Sequence, residues 1–293
     1  MNLSQLEVLV AIVETGSLKE AAEVVGLTHS AVSYSLSKLE AELGITLMDR
    51  GRQRIVLTGI GNEVLQHARS IISEIDVIRQ KTARERGLSV GKIRFACVPQ
   101  VPARFLTGII REFQGKYPDI QVVLFQGSST EIADWMENKI IDVGTVVDAS
   151  LYPASVKLVE NEIHVLLPEN HALAQKSELQ ILDVLNEPLI GSQREADASN
   201  TMIFGSNPLN IQLRYQVTET ATIYAMVAEG MGICILPSML VDASLPGVVS
   251  RPLRPKLMMD AYLAATVDSP ASQVFLEVAQ NWSRLHGFLL SDT

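Results

Sequence analysis

The sequence predicts a chain of two fold classes: short α-helices at the N-terminus, one long helix, and then a larger α/β region. Two observations lead to this prediction. Apolar residues recur at helical spacing through residues 1–86, first in short stripes and then, after residue 58, in one long stripe. From residue 89 onward, strand-like and helix-like segments alternate, which is typical of parallel sheets with crossover helices.

The composition describes an ordinary globular protein. The chain has 293 residues, of which 47% are hydrophobic and 19% are charged, and this length suits two or three compact units. No run reaches the roughly 18 apolar residues that cross a bilayer, and the N-terminus lacks the basic region of a secretory signal. We therefore expect a cytoplasmic protein without membrane contact.

The charge balance limits how nucleic acid could be bound. Residues 1–88 hold 10 basic and 11 acidic side chains, a net −1, and the other residues hold 14 and 22, a net −8, which together give −9. An acidic chain argues against indiscriminate binding to nucleic acid. Any DNA contact must therefore depend on a few local cations.

The first two predicted helices are short. Residues 4–13 place Leu6, Leu9, Val10 and Val13 on one face, and Gly16 ends that helix. Ser17 and Glu20 have the spacing of a capping box that starts the second helix. That helix buries Leu18, Ala21, Ala22 and Val25, of which the alanines are small enough for a neighbouring helix to approach closely.

The third predicted helix, in "THSAVSYSLSKLEAELG", has a small polar face. Thr28 fits its N-cap and Gly44 its C-terminal end. The apolar stripe is Val32, Leu36, Leu39 and Leu43. The opposite face is Ser30, Ser33, Tyr34, Ser37 and Lys38. A face that is only solvated usually carries more Glu, Lys and Arg, so this face favours contact with another surface, with simple solvation as the alternative.

The second and third helices together predict a helix-turn-helix. Gly26-Leu27-Thr28 forms a tight connection, and in such a motif the second helix lies in the DNA major groove. A hairpin follows, with its tip at residues 50–53 and a strand at residues 55–57. It is typical of a wing whose arginines contact phosphates or the minor groove, although a solvated basic turn is the alternative. The predicted DNA contacts are Thr28, His29, Ser30, Ser33, Tyr34, Ser37, Lys38, Arg50, Arg52 and Arg54.

Residues 1–68 resemble the winged helix-turn-helix of LysR-type transcriptional regulators. The matching pieces include "AAEVVGLTHSAVSYSLSKLEAELG" and "LMDR…VLTGIGNEVL". The resemblance implies double-stranded DNA as a partner, a homodimer or homotetramer, contact with RNA polymerase, and a C-terminal part that senses a small molecule. The family commonly has Gln-Pro where this chain has His29-Ser30, and often Arg at Tyr34. A phenol cannot make the bidentate guanine contact that Arg makes.

Residues 59–86 are predicted to form the long helix. Its apolar seam steps by 4, 3, 4 and 3 residues, which is a heptad pattern that favours pairing with a second helix. The seam is Val64, Ala68, Ile71, Ile75 and Ile78. The resemblance favours a dimerisation helix, and packing against its own domain is the alternative. The domains would be 1–58 for DNA binding, 59–88 for the dimerisation helix and hinge, and 89–293 for effector binding.

The C-terminal region resembles the LysR-type effector domain in "GKYPDIQVVLFQGSSTEI" and "VAEGMGICILP". That resemblance implies two lobes like those of type 2 periplasmic binding proteins. Lobe I would comprise about 92–160 and 263–293, and lobe II about 161–262. A ligand would lie in the cleft, near strand ends and helix starts. The candidate effector residues are Pro99, Gln100, Val101, Ser128, Ser129, Thr130, Thr145, Ser192, Gln193, Arg194, Thr218 and Glu219.

The candidate effector residues favour an anionic ligand. Arg194 and free helix N–H groups suit a small organic anion, although the hydroxyls would also accept a neutral polar molecule. Ser128 with Glu131 could instead be only a capping box.

No enzyme motif accompanies this cleft: the sequence has no P-loop, no G-x-S-x-G, and no metal-ligand spacing among its five histidines. We therefore expect a regulator without catalytic activity, metal or cofactor other than an unidentified effector. One alternative is a metabolite-binding protein or enzyme with an N-terminal protein-docking module. Another is a redox-responsive regulator that uses Cys97, although Cys97 and Cys234 lie in apolar strands typical of inert thiols.

Overall fold

A computed structural model describes residues 1–50, 55–86, 90–99, 101–191, 213–217, 219–241 and 246–289. The first three helices form the head: α1 (Leu3–Thr15), α2 (Leu18–Val25) and α3 (His29–Leu43). Each ends at a glycine with positive φ, as the sequence predicted for Gly16, Gly26 and Gly44. The apolar stripes of α1, α2 and α3 pack together in one hydrophobic core, which removes their side chains from water.

A short hairpin and a long helix follow the head. Strand β1 (Met48–Arg50) pairs antiparallel with β2 (Ile55–Leu57), which confirms the predicted hairpin. Helix α4, the linker helix, spans Gly59–Glu85. The long helix predicted over residues 59–86 is thus confirmed to within one residue, and its last turns bury Gln80 and Ala83.

The linker helix has two different long faces. One face packs against the rest of the same chain. Its buried residues are Leu65, Ala68, Arg69, Ser73, Val77, Gln80 and Ala83. The other carries Ile71 and Ile78, which are 42% and 60% exposed. Ala68, which we predicted in a seam with a partner, is 1% exposed and packs in the head core. Ala68 therefore does not lie on the exposed face of α4, because this part of the helix packs against α1 and covers the head core.

Lobe I is built on a five-stranded sheet with the order β4-β3-β5-β13-β6. Its elements are β3 (Gly91–Cys97), α5 (Ala103–Lys116), β4 (Ile120–Gln126), α6 (Ser129–Glu137), β5 (Val143–Val146), β6 (Ala154–Val159), β13 (Ala261–Ala265) and α9 (Pro270–Leu285). Strands β3, β4 and β5 are parallel. Helices α5 and α9 cover one face of the sheet with an aromatic core around Phe113 and Phe275.

Lobe II has a four-stranded sheet with the order β11-β7-β12-β8 and a parallel pair, β9 and β10, in which Leu189 also bridges to Ile233, directly before β11. Its elements are β7 (Ile163–Pro168), β8 (Leu179–Gln180), α7 (Ile181–Val184), β9 (Leu189–Gly191), β10 (Leu213–Gln216), α8 (Thr220–Ala228), β11 (Cys234–Pro237) and β12 (Val248–Arg254). Short 3₁₀ helices lie at Ala172–Gln175 and Ser238–Leu240. The expected two-lobed α/β architecture is thus confirmed.

The sheets are mixed, whereas the alternation of elements predicted parallel sheets. Strand β13 runs antiparallel to both β5 and β6. The reason lies in the connection between the lobes: β6 leads the chain out of lobe I and β13 brings it back, so the two neighbours run in opposite directions. The two segments that connect the lobes also contact each other, because the Met259 N–H donates to the Asn161 carbonyl at 2.7 Å.

The linker helix packs against lobe I through polar groups. The Gln80 side-chain oxygen accepts a hydrogen bond from the Ala271 N–H at 3.1 Å, in the first turn of α9. Near the other end of α4, the Gln66 amide donates to the Asn138 side-chain oxygen at 2.8 Å. Gln80 is buried, and it also fills the space beside Gly91, where a Cβ atom would come within 3.0 Å of it.

Candidate nucleic-acid interface and effector cleft

The polar face of α3 is exposed on the head. Its N-cap, Thr28, accepts from the Ala31 N–H at 3.2 Å, and the Thr28 hydroxyl lies 3.1 Å from that of Ser30. Tyr34 is 68% exposed. His29, Ser37 and Lys38 are exposed as well, and Ser33 is half-buried at the edge of the face. The structure therefore brings the helical members of the predicted DNA-contact set onto one accessible surface.

The opposite side of α3 holds the helix in place. Val32, Leu36 and Leu39 are buried against α1 and α2, as the apolar stripe predicted. Leu43 is the exception, because it is 36% exposed. It is the last residue of α3 and lies beyond the part of the helix that is buried in the head core.

The hairpin is described only in part. Arg50 ends β1, opposite Ile55, and its side chain lies outside the described part of the structure. Arg52 and Arg54 lie outside the described residues altogether. The pairing of β1 with β2 nevertheless shows that residues 51–54 connect two antiparallel strands, so all three arginines stay predicted DNA contacts.

A hydrogen-bonded joint connects these elements, and the sequence analysis did not predict it. The Glu40 carboxylate of α3 accepts from the backbone N–H groups of Leu47 and Met48, at 2.8 and 3.2 Å. Thr58 donates to the Leu47 carbonyl and caps α4 through the Gly61 N–H at 3.0 Å. The capping spacing of Thr58 and Gly61 is the only local signal that could have suggested it.

Lobe I brings three predicted effector segments to one edge of its sheet. The Val98 N–H donates to the Thr145 hydroxyl at 3.3 Å, and the Gly127 N–H donates to the Cys97 carbonyl at 3.3 Å. Consequently the ends of β3, β4 and β5 lie side by side. Of the candidates at this edge, Pro99, Ser129 and Thr130 are exposed, and Val101, Ser128 and Thr145 are half-buried.

Two helices that begin at candidate effector residues, α6 and α8, have a carboxylate at or near their N-caps. Ser128 and Glu131 form a reciprocal capping box, in which the Ser128 hydroxyl donates to the Glu131 carboxylate at 2.7 Å. The simpler structural interpretation of Ser128 is thus favoured. On lobe II, Glu219 is the N-cap of α8 and accepts from the Thr222 hydroxyl at 3.0 Å. The remaining candidates, Gln100, Ser192, Gln193, Arg194 and Thr218, lie outside the described residues.

Two family models match the chain over nearly its whole length. The model of bacterial regulatory helix-turn-helix proteins of the lysR family matches residues 3–62, and that of the LysR substrate binding domain matches residues 86–284. The chain belongs to the LysR family. It is therefore a DNA-binding transcriptional regulator with a substrate-binding effector domain, and the predicted family and function are confirmed.

A relative and two solved structures agree with this assignment. The HTH-type transcriptional regulator YvbU of Bacillus subtilis (strain 168) is 32% identical over 290 residues, which span 96% of this chain and 98% of that protein. A full-length OxyR variant from Pseudomonas aeruginosa superimposes with a TM-score of 0.77 at 19% identity, over 97% and 98% of the two chains. Full-length CbnR, solved with its target DNA, gives 0.54 at 20% identity, over 97% and 100%. These structures show the same fold.

The redox alternative is not favoured in this LysR regulator. Cys97 and Cys234 are both buried. Burial raises the pKa of the Cys97 thiol to about 11, whereas a reactive sensor thiol needs a depressed pKa and access to solvent. Across the described residues, no group of three or more His, Cys, Asp or Glu side chains is arranged to hold a metal ion. No helix in that same part of the chain is long and apolar enough to cross a membrane.

Proposed function

We propose that α3 reads the major groove of the operator while the hairpin β1–β2 contacts the DNA backbone beside it. The observation that carries this proposal is the accessible hydroxyl-rich face of α3, from Thr28 to Lys38, which lies opposite the buried Val32, Leu36 and Leu39. Short hydroxyls allow a helix to approach base edges and phosphates closely. Residues 1–88 carry a net charge of −1 rather than a basic excess, so paired heads in an oligomer are needed to multiply a small number of cationic contacts.

The test removes two of these cations. We expect the double change Lys38→Ala, Arg52→Ala to weaken operator binding and to reduce the slope of log affinity against log salt by roughly 2 per subunit, because each lost phosphate contact removes about one unit. The DNA would be the region upstream of the protein's own gene, compared with scrambled DNA of equal length. Fluorescence anisotropy across a salt series measures both quantities.

A control with the same charge change makes this test specific. Lys116 and Lys256 are exposed in the effector domain, away from the head. The variant Lys116→Ala, Lys256→Ala should therefore keep the wild-type salt slope. An equal loss of affinity and slope in both double variants would contradict the proposed interface.

We further propose that the cleft binds a small polar organic molecule, with an organic anion as the favoured class. Arg194 and the backbone N–H groups at the cleft support an anionic group. Glu131 and Glu219 add two carboxylates among the described groups, which favours an effector that also carries hydrogen-bond donors. A thermal-shift screen that compares hydroxy acids, amino acids and neutral polyols measures this preference, and stabilisation by the polyols alone would contradict it.

Effector binding would act by changing the angle between the lobes and thereby the spacing of the paired heads. Operator bending or contact with RNA polymerase would change as a result. Bend angles measured with and without an effector from the screen test this step, and identical bends and footprints in both states would rule it out.

A further inference from the structure

We propose that Glu40 is a positioning residue for DNA binding, which fixes the hairpin and the linker helix relative to α3. The proposal rests on the function proposed above, in that α3 and the hairpin both contact DNA. The sequence places Glu40 among charged residues near the end of an amphipathic helix, where a solvated carboxylate would be ordinary. In the structure its side chain turns to the backbone that follows the helix.

The first part of the joint closes the turn after α3. The backbone carbonyl of Glu40 accepts from the N–H groups of Gly44 and Ile45, which ends the helix. Its carboxylate accepts from the N–H groups of Leu47 and Met48 at 2.8 and 3.2 Å. One residue of α3 thus holds both the helix end and the start of β1.

The second part of the joint connects the same peptide to α4. The Leu47 carbonyl accepts from the Thr58 N–H at 3.0 Å. The Thr58 hydroxyl lies 2.9 Å from the Thr46 carbonyl and 3.2 Å from the Leu47 carbonyl, and its proton is shared between these two acceptors. The Thr58 hydroxyl in turn accepts from the Gly61 N–H in the first turn of α4. Leu47 and Met48 are buried, so these backbone groups have little access to water as an alternative partner.

The chemistry of the joint explains why a carboxylate stands there. A carboxylate oxygen can accept two N–H groups at once, and hydrogen bonds to a charged acceptor are stronger than those between neutral groups. An alanine would leave both N–H groups without this partner, in a joint that offers little space for water. A glutamine would keep one acceptor oxygen, replace the other oxygen with an NH2 group and remove the charge.

The consequence for DNA binding is geometric. Two contact regions on one rigid head bind as a unit, because the second contact forms at a high effective concentration once the first has formed. If the hairpin moves freely relative to α3, its phosphate contacts add less to the affinity. The contribution of the hairpin to the salt slope would then fall, while α3 would keep its base preference.

The experiment compares wild type, Glu40→Gln and Glu40→Ala in full-length protein on the same operator. We expect Glu40→Ala to bind roughly tenfold more weakly, with a salt slope lower by about one unit for each hairpin phosphate contact that is lost. Glu40→Gln should stay close to wild type. Glu23→Ala, which removes an exposed carboxylate from α2, is the control for the change in charge.

The salt slope separates positioning from simple loss of folding. A partly unfolded variant has fewer active molecules, but those that remain keep the wild-type slope. A reduced slope in Glu40→Ala would therefore support the proposal. A wild-type slope in Glu40→Ala, or a Glu40→Gln variant that behaves like Glu40→Ala, would overturn it.

Hydrogen exchange of the free protein tests the joint without DNA. We expect the Leu47 and Met48 amides to exchange slowly in wild type and Glu40→Gln, and at least about tenfold faster in Glu40→Ala. If these two amides are equally protected in Glu40→Ala and in wild type, the proposal is overturned, even if the protein binds its operator. A different outcome is that protection falls as expected in Glu40→Ala while the wild-type protein binds operator DNA no more tightly than scrambled DNA. In that case the proposed DNA-reading function fails and the proposed role of Glu40 in the joint stands.

Discussion

Arg69 is a buried cation on the linker helix. It is buried on α4, and among the described residues no group accepts a hydrogen bond from its Nε atom. Burial lowers its pKa, Glu14 opposes that change, and the neighbouring Arg94 adds to it. Arg94 itself is neutralised by Asp142, 2.6 Å away. Arg69 therefore carries a poorly compensated buried charge.

We predict that Arg69→Met raises the free energy of unfolding by about 1 kcal/mol, because a flexible apolar side chain of similar length replaces that charge. Urea denaturation followed by circular dichroism measures the change. Arg79→Met is the control on the same helix, because Arg79 is 65% exposed and pairs with an exposed Asp76. It should change stability by less than about 0.5 kcal/mol. A loss of stability in Arg69→Met would show that the other guanidinium nitrogens make contacts that outweigh the burial of charge.

At the scale of elements, the joint between the hairpin and α4 depends on a glycine. A Cβ atom at Gly61 would lie 2.1 Å from the Leu47 carbonyl oxygen, so α4 could not start where it does. We predict that Gly61→Ala destabilises the head by about 2–3 kcal/mol, as expected for overpacking against backbone. Differential scanning calorimetry should show a lower melting temperature.

Gly59 provides a matched control two residues earlier. A Cβ atom there would meet nothing within 4 Å. Gly59→Ala should therefore leave stability unchanged or raise it by up to about 1 kcal/mol, because alanine favours helix more than glycine does. Equal melting temperatures for the two variants would contradict the close approach of Leu47 to α4.

At the scale of the whole molecule, the uncovered face of the linker helix is the predicted contact with a second subunit. Ile71 and Ile78 lie exposed on it, two turns apart. We predict that Ile71→Asp, Ile78→Asp yields monomers in sedimentation velocity and lowers operator affinity by roughly a hundredfold, because paired heads are lost. The control variant Leu151→Asp, Leu182→Asp changes two aliphatic residues of the effector domain that are more exposed still. A wild-type sedimentation profile for the Ile71→Asp, Ile78→Asp variant would contradict the predicted contact between subunits through this face of α4.

Local features of the head followed from the sequence, and features that depend on distant contacts did not. Caps and glycines act within a few residues, so the limits of α1, α2 and α3 were predicted to within two residues. Glu40 contacts residues seven and eight positions later, across a turn, and no local pattern predicts such a contact. The antiparallel direction of β13 depends on a connection about 100 residues long, which periodicity cannot reveal.

The bond from Gln80 to the first turn of α9 also bears on how separable the two halves of the chain are. The effector domain obtains part of the capping of its last helix from a residue that precedes its own first strand. A domain excised after α4 would expose the Ala271 N–H and leave Gly91 without its neighbour. Chimaeras that exchange effector domains between regulators should therefore keep the C-terminal part of α4 with the effector domain, with the exchange point placed before Gln80.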